Sequence, residues 1–363
     1  MKKILTIIIL FILSIINVSA QESLILLPSQ IGTVQSIEYI DIDENHIAQT
    51  KQNVQIKLKD GSNIFVENYL TGNPHYDIKL KKGTKVILHR ETDNENVFYS
   101  IENIKRSNSL IYLSLLFCGL LVYVGRKKGL LSLVSILLTG ILIVYLLSPL
   151  ILIGINPILA TVLICLLSTA ITMYLVGGLN RKSSSATIGC ILSIIVAGIL
   201  SFLTVKVAHL TGYNDENSLF LYTAHPQLDF IGITISTMLL ATLGAVMDVA
   251  MSIASTINEI YTIDNKKTVK ELFISGMNVG RDIIGTMANT LILVYLGTSL
   301  PLLLLASNID FQKFINLNQV VTEISSALIG SCAIVICVPI TAIIASQLIK
   351  NTSPKQDFSS LKD

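Results

Sequence analysis

The chain has 363 residues, of which 52% are hydrophobic and 14% are charged. Soluble domains carry roughly 25% charged residues, and a soluble chain of this length could not bury so much apolar surface. The formal net charge is only +2, so composition excludes a globally basic nucleic-acid-binding protein. The positions of the positive charges are informative instead, because they indicate membrane orientation.

The N-terminus is typical of an export signal. Lys2 and Lys3 precede an apolar stretch over residues 4–16, and a stretch of small residues ends at Ala20. This pattern predicts a signal peptide over residues 1–20. An uncleaved signal anchor is the alternative, although the apolar stretch is short for a helix that spans a bilayer.

Short stretches of alternating polarity, separated by turn signals, fill residues 21–106. Asp60-Gly61 and Lys82-Gly83 are typical of tight turns. We therefore predict a small N-terminal extracytoplasmic β-barrel-like domain, OB-like or SH3-like, over this segment. It has no basic stripe interleaved with aromatic residues, so nucleic acid is not an expected partner.

Apolar stretches of spanning length follow the β domain. Because a segment inside a bilayer can satisfy its own backbone only as a helix, we predict a mainly α-helical integral membrane protein with about seven transmembrane helices. The membrane domain covers residues 107–350 and a cytoplasmic tail covers residues 351–363. The predicted spans are 107–125, 129–148, 157–178, 184–208, 230–255, 283–305 and 324–349.

Positive charges recur at every second connection between these spans. The positive-inside rule makes those connections cytoplasmic, which leaves the β domain outside and the C-terminus inside a bacterial cytoplasmic (inner) membrane. The charges that carry this orientation are Arg126, Lys127, Lys128, Arg181, Lys182, Lys266, Lys267, Lys270, Lys350 and Lys355.

The fifth span carries a polar stripe. Asp248, Ser252, Ser255 and Glu259 follow the spacing i, i+4, i+7 and i+11, which places them on one face of a helix. Charged side chains inside a bilayer are costly and usually face protein or a water-filled cavity. The stripe therefore indicates an ion or proton path, with a structural role as the alternative.

The sixth span repeats the spacing. Its stripe contains Asn278, Asp282, Gly285 and Asn289, with Thr286 beside them. We expect the two stripes to lie at similar depth on antiparallel helices.

Two observations favour a plainer interpretation of this region. Asp282 follows Arg281 directly and could cap a helix start at the cytoplasmic interface without any other role. Gly276, Gly280 and Gly285 predict close packing between helices, and the first two could instead separate a short cytoplasmic helix from the membrane helix.

No motif of an enzyme or of an ATP-driven pump is present. The sequence contains no Walker loop, no zinc-protease pattern, no nucleophile elbow and no dinucleotide fingerprint, so neither an enzyme nor a cofactor is expected. His225 and Asp229 have a spacing that a metal could use, but two ligands do not make a site and Pro226 disturbs the geometry. No metal is expected.

Two segments resemble the YibE/F family of bacterial multi-pass membrane proteins. They are residues 244–255 (GAVMDVAMSIAS) and residues 275–291 (SGMNVGRDIIGTMANTL). Residues 68–77 (NYLTGNPHYD) resemble the extracytoplasmic region of that family. The resemblance implies a topology rather than an activity, and it marks Asp248, Arg281, Asp282, Asn289 and Thr290 as positions to test.

The leading hypothesis is a secondary permease or ion-coupled transporter for an unidentified small solute or ion. In this hypothesis Asp248 and Asp282 flank a polar path near the cytoplasmic side of the lipid bilayer, and Ser252 and Asn289 are neutral ligands. The alternative is a non-transporting scaffold or sensor, whose β domain binds an envelope component and whose 258–280 loop meets a cytoplasmic protein. An intramembrane hydrolase ranks third, because the sequence contains no recognisable combination of a catalytic nucleophile and a general base.

Overall fold

The computed structural model of the protein describes residues 30–41, 50–75, 77–93 and 96–351. The predicted signal peptide over residues 1–20 and the predicted tail beyond residue 351 lie outside these described residues. The chain divides into two compact units between Tyr123 and Val124.

The first unit contains an antiparallel sheet whose strands are ordered β3-β2-β1-β4-β5. The outer strands β3 and β5 approach each other, so the sheet is nearly closed. This confirms the predicted small β domain and resembles its OB-like alternative, a partly open barrel of five strands. The strands are β1 Gln30–Asp41, β2 Thr50–Leu58, β3 Asn63–Leu70, β4 Lys85–Asp93 and β5 Asn96–Ile104.

Alternation along the strands builds the core of this domain. Val34, Val54, Ile56, Val86 and Leu88 are buried, whereas the residues between them point outward. Both predicted turns are present, because Gly61 and Gly83 adopt positive φ values of 91° and 85°.

Helices form the rest of the described chain. The long ones are α1 Ser107–Leu142, α3 Pro157–Gly177, α4 Arg181–Val207, α6 Phe230–Ile263, α7 Val269–Thr298 and α10 Asn318–Asn351. The short ones are α2 Ser148–Leu152, α5 Glu216–Ala224, α8 Leu300–Leu305 and α9 Phe311–Ile315, and a π-helical turn over Ile143–Leu147 joins α1 to α2.

Within the described residues, six helical stretches are long and apolar enough to cross a membrane. The difference from the predicted seven lies in the first stretch, Ser107–Leu152, where two predicted spans follow each other within 46 residues without a loop. Two helices meet there at a kink. The backbone leaves helical geometry at Arg126, with φ 49° and ψ −128°, where the basic residues interrupt the apolar run.

Helix α10 packs against α4, α6 and α7, and α6 also packs against α3, α4 and α7. The buried Gly276 and Gly280 permit the approach of α7, since a Cβ at Gly280 would overlap Val338 of α10 and Ile253 of α6. This confirms the predicted packing role of these two glycines.

The start of α7 differs from the prediction. The helix begins at Val269 rather than near residue 283 and continues through both glycines. A capping box accounts for the start: the Thr268 N–H donates to Glu271 Oε2 at 2.7 Å, and the Glu271 N–H donates to Thr268 Oγ1 at 3.2 Å. The alternative of a separate cytoplasmic helix is therefore wrong.

Candidate functional site

The polar stripe of the fifth predicted span lies on the outer surface of α6. Asp248, Ser252 and Glu259 are exposed, and Ser255 is half-buried. The opposite side of the helix is the packed one, where Val246, Ala250, Ile253 and Ile257 are fully buried. The helix is thus polar on the side that faces away from the bundle.

The stripe on α7 also faces outward. Its buried side contains Leu272, Gly276 and Gly280, which contact the neighbouring helices. Gly285 belongs to the outward side and does not pack, since a Cβ there would meet no atom within 4 Å. The exposed polar residues are Asn278, Arg281, Asp282, Thr286, Asn289 and Thr290.

The two stripes lie at the same depth. Gly276 of α7 approaches Ile257 of α6, and Gly280 approaches Ile253, so the helices are antiparallel in this register. Five residues further along each helix, Asp248 lies level with Gly285. Carboxylates, amides and hydroxyls therefore occupy the middle of both helices rather than only their ends.

The stripe residues make few contacts with one another. The Arg281 guanidinium donates to Asn278 Oδ1 at 3.2 Å. The hydroxyl of Thr290 donates to the backbone carbonyl of Thr286 at 2.8 Å. Within the described part of the chain, no ion pair joins Arg281 to Asp248 or to Asp282.

No fully buried side chain in the described part of the helix bundle is charged. Among the described residues, every fully buried polar side chain of the helical region is a serine or threonine. Most of these hydroxyls bond within their own helix, as when Ser193 and Ser201 donate to carbonyls four residues earlier, both at 2.8 Å. The described carboxylates of the long helices are thus exposed at the bundle surface or only partly buried.

A second polar cluster was not predicted from the sequence. Asn214 Oδ1 accepts hydrogen bonds from Asn318 Nδ2 at 2.8 Å and from Thr322 Oγ1 at 2.9 Å. Asn214 Nδ2 in turn donates to Thr234 Oγ1 at 3.2 Å. This network ties the loop before α5 to the first turns of α6 and α10. Asn318 and Thr322 are more than 100 residues from Asn214 in sequence, and no local pattern indicates their contact.

Glu323 is a further residue that was missed. It is half-buried on α10, where it borders a cavity of about 170 Å³ that is lined mainly by apolar side chains, including Leu296 and Phe314, together with Tyr295. The signal in the sequence was an isolated carboxylate directly before the seventh predicted span.

The β domain has a cleft of its own. It has a volume of about 550 Å³ and is lined by His75, Asp77, Lys79, Glu102 and Arg106, among others. No group of three or more metal-ligating side chains occurs among the described residues.

Asp77 anchors the loop that forms one wall of this cleft. It accepts hydrogen bonds from the Thr71 N–H at 2.6 Å, the Thr71 hydroxyl at 2.9 Å and the Gly72 N–H at 2.9 Å. Desolvation raises the pKa of Asp77, but these hydrogen bonds outweigh it and hold the pKa below its ordinary value.

These features define a multi-helix membrane protein with a small β domain and an outward-facing polar stripe on two adjacent helices. A family model described as YibE/F-like protein matches residues 113–351, and the chain belongs to this family. The match includes both stripes but begins within α1, so it does not extend to the β domain. No curated protein and no solved structure matches the chain.

Proposed function

We propose that this protein is a secondary permease or ion-coupled transporter, not an enzyme, and that its polar path runs along the outward faces of α6 and α7. Asp248 and Asp282 supply negative charge to the path, and Ser252 and Asn289 supply neutral ligands. Carboxylate and amide oxygens suit a proton or a small cation as the transported or coupling species.

The exposure of Asp248 is the observation that carries the proposal. It lies near the middle of α6, a helix of 34 residues, and forms no ion pair within the described residues. A charged side chain at the centre of a membrane helix costs about 3 kcal/mol if it faces lipid. Water on this face, or a polar protein surface, removes that cost.

The path lies on the side of the bundle and not through its centre. The bundle interior supports this placement, since hydroxyls are the only polar side-chain groups fully buried there among the described residues. The orientation proposed from the positive charges places the β domain outside a bacterial cytoplasmic membrane.

A flux assay on the reconstituted full-length protein tests the proposal. Proteoliposomes are given H⁺, Na⁺ or K⁺ gradients, and dissipation is followed with ion-sensitive dyes. We expect Asp248→Asn to lower the protein-dependent flux by about tenfold. The substitution keeps the shape of the side chain, so the unfolding temperature in detergent should be unchanged.

Glu216→Gln is the matched control. It removes one exposed carboxylate outside the stripe, from the first turn of α5, and should leave most of the flux intact. A flux in Asp248→Asn equal to that of the wild type would contradict the proposed path. Wild-type flux no greater than that of protein-free liposomes for all three ions would contradict ion coupling.

The β domain supports the scaffold or sensor as a second candidate. Its cleft of about 550 Å³ contains both basic and acidic side chains, which is typical of a binding surface. A protein whose Asp248→Asn variant is fully active in the cell, and whose cleft variants are not, would fit this function better.

A further inference from the structure

Lysines line up across one end of the β sheet. Thr33 of β1 pairs with Lys57 of β2 on one side and with Lys85 of β4 on the other. The Lys105 N–H donates to the Lys85 carbonyl at 2.8 Å, which extends the row to the end of β5. Residues directly opposite each other in an antiparallel sheet point to the same face, about 5 Å apart.

The face that carries the row is the outer one. The neighbouring residues Val34, Leu58 and Val86 are buried in the core, so the alternate residues point outward. These outward residues border a shallow cleft of about 300 Å³. Its lining is Ile31, Thr33, Gln35, Lys57, Leu58, Lys59, Lys85 and Lys105.

The charge of this cleft is unbalanced. No carboxylate lines it, and among the described residues none of its four ammonium groups forms an ion pair or a side-chain hydrogen bond. Elsewhere in the same sheet Lys51 does have a partner, since its Nζ lies 2.6 Å from Glu67 Oε1. Lys85 and Lys105 are like charges on adjacent strands, an arrangement that destabilises a sheet, so an anion bound beside them would relieve their repulsion.

The row also lies close to the start of the first apolar helix. Lys105 is two residues before Ser107, where α1 begins, and consecutive Cα atoms are 3.8 Å apart. The Cα of Lys105 is therefore within about 8 Å of a helix whose residues are apolar enough to enter a membrane. In the proposed topology, in which α1 enters the membrane, the phosphate groups of lipid headgroups lie near that level.

We propose that the row of Lys57, Lys85 and Lys105, together with Lys59, is a binding site for a phosphate group. Lysine ammonium groups are common phosphate ligands, and the Thr33 hydroxyl and Gln35 amide add neutral donors. The phosphate belongs either to the headgroup of an anionic phospholipid or to a free phosphate ion. This site is independent of the proposed transport path.

Ligand-induced stabilisation of the full-length protein in a neutral detergent tests the site. The unfolding temperature is measured during titration with inorganic phosphate, with short-chain phosphatidylglycerol and with short-chain phosphatidylcholine. A ligand that binds only the folded protein raises this temperature, and the increase continues with the logarithm of the ligand concentration above Kd. Stabilisation by phosphatidylglycerol alone identifies the lipid headgroup, and stabilisation by inorganic phosphate alone identifies the free ion.

The decisive variant is Lys57→Gln/Lys85→Gln/Lys105→Gln. Its apparent Kd for the stabilising ligand should be weaker by about tenfold or more. Its unfolding temperature without ligand should equal or exceed that of the wild type, because the repulsion between the lysines is gone. A merely structural role for these lysines would lower that temperature.

The control variant is Lys266→Gln/Lys267→Gln/Lys270→Gln, which removes the same charge from the connection between α6 and α7 and from the first turn of α7. It should bind the ligand as the wild type does. An equal loss of ligand binding in both variants would show that the ligand responds to the overall charge of the protein. This result would overturn the site. No stabilisation of the wild type by either phosphate compound, or equal stabilisation by phosphatidylcholine, would also overturn it.

Discussion

At the scale of single residues, the surroundings of each carboxylate decide its role. Asp77 accepts three hydrogen bonds and stabilises a loop, and Glu67 neutralises Lys51. Asp248 has no ion-pair partner and is exposed near the middle of an apolar helix. In a membrane the Asp248 carboxylate costs free energy through desolvation and adds no packing contacts. We therefore expect it to have a function.

Asp77 leads to a prediction on pH. Because its pKa in the folded protein is below the ordinary value of 3.8, its contribution to loop stability is complete above that value and is lost as pH falls through the lowered pKa. Hydrogen exchange at Thr71 and Gly72 should be faster in Asp77→Ala than in the wild type at pH 6. This difference should disappear at acid pH, and it should be absent in the control Asp60→Ala. Equal exchange at pH 6 would contradict the role of Asp77.

The separation of Asp248 from Arg281 leads to a second prediction. Because no ion pair joins them, the effects of Asp248→Asn and Arg281→Gln on the free energy of unfolding should add within about 0.5 kcal/mol. Thermal or chemical unfolding of both single variants and the double variant in detergent measures this sum. A mutual rescue of more than about 1 kcal/mol would show an ion pair and favour the scaffold function.

At the scale of elements, α6 and α7 combine two opposite surfaces. Their packed sides contain small and aliphatic residues, and their outer sides contain the polar stripes. The helical spacing in the sequence was sufficient to predict that each stripe shares a face and that Gly276 and Gly280 pack. It could not show which face is buried, since both Gly280 and Gly285 are small and only their neighbours in space differ.

The two glycines provide a matched test of this packing. Gly280→Ala adds a methyl group that overlaps Val338 and Ile253, and overpacking of this kind costs about 1–3 kcal/mol. Gly285→Ala adds the same group to open space and should be neutral or stabilising by up to about 1 kcal/mol. Unfolding temperatures in detergent compare the two variants. Equal effects would contradict the contacts of α7.

At the scale of the whole molecule, a polar β unit precedes a unit of apolar helices. The change from alternating to continuous apolar sequence predicted both units, because strand and membrane-helix patterns differ in period and length. The phosphate site could not be predicted in this way. Thr33, Lys57, Lys85 and Lys105 are distant in sequence, and only the register of four strands, with a bulge between Val34 and Ser36, places them in one row.

The orientation of the molecule is tested with cysteines in a background that lacks the five native ones. Ser62→Cys lies in a turn of the β domain and should react with a membrane-impermeant maleimide in intact cells. Asn265→Cys lies in the basic connection between α6 and α7 and should react only after permeabilisation. The reverse pattern would invert the proposed topology.

The central claim is that the outward stripe of α6 and α7 is wet inside the membrane, and cysteine accessibility tests it most directly. Asn289→Cys of the stripe is compared with Ile195→Cys, a position near the middle of α4 whose side chain is exposed but apolar. Both are placed in the cysteine-free background, and a water-soluble maleimide is applied to the full-length protein in liposomes. We predict reaction at position 289 and none at position 195. Absence of reaction at position 289 under conditions that label Ser62→Cys would contradict a water-filled path.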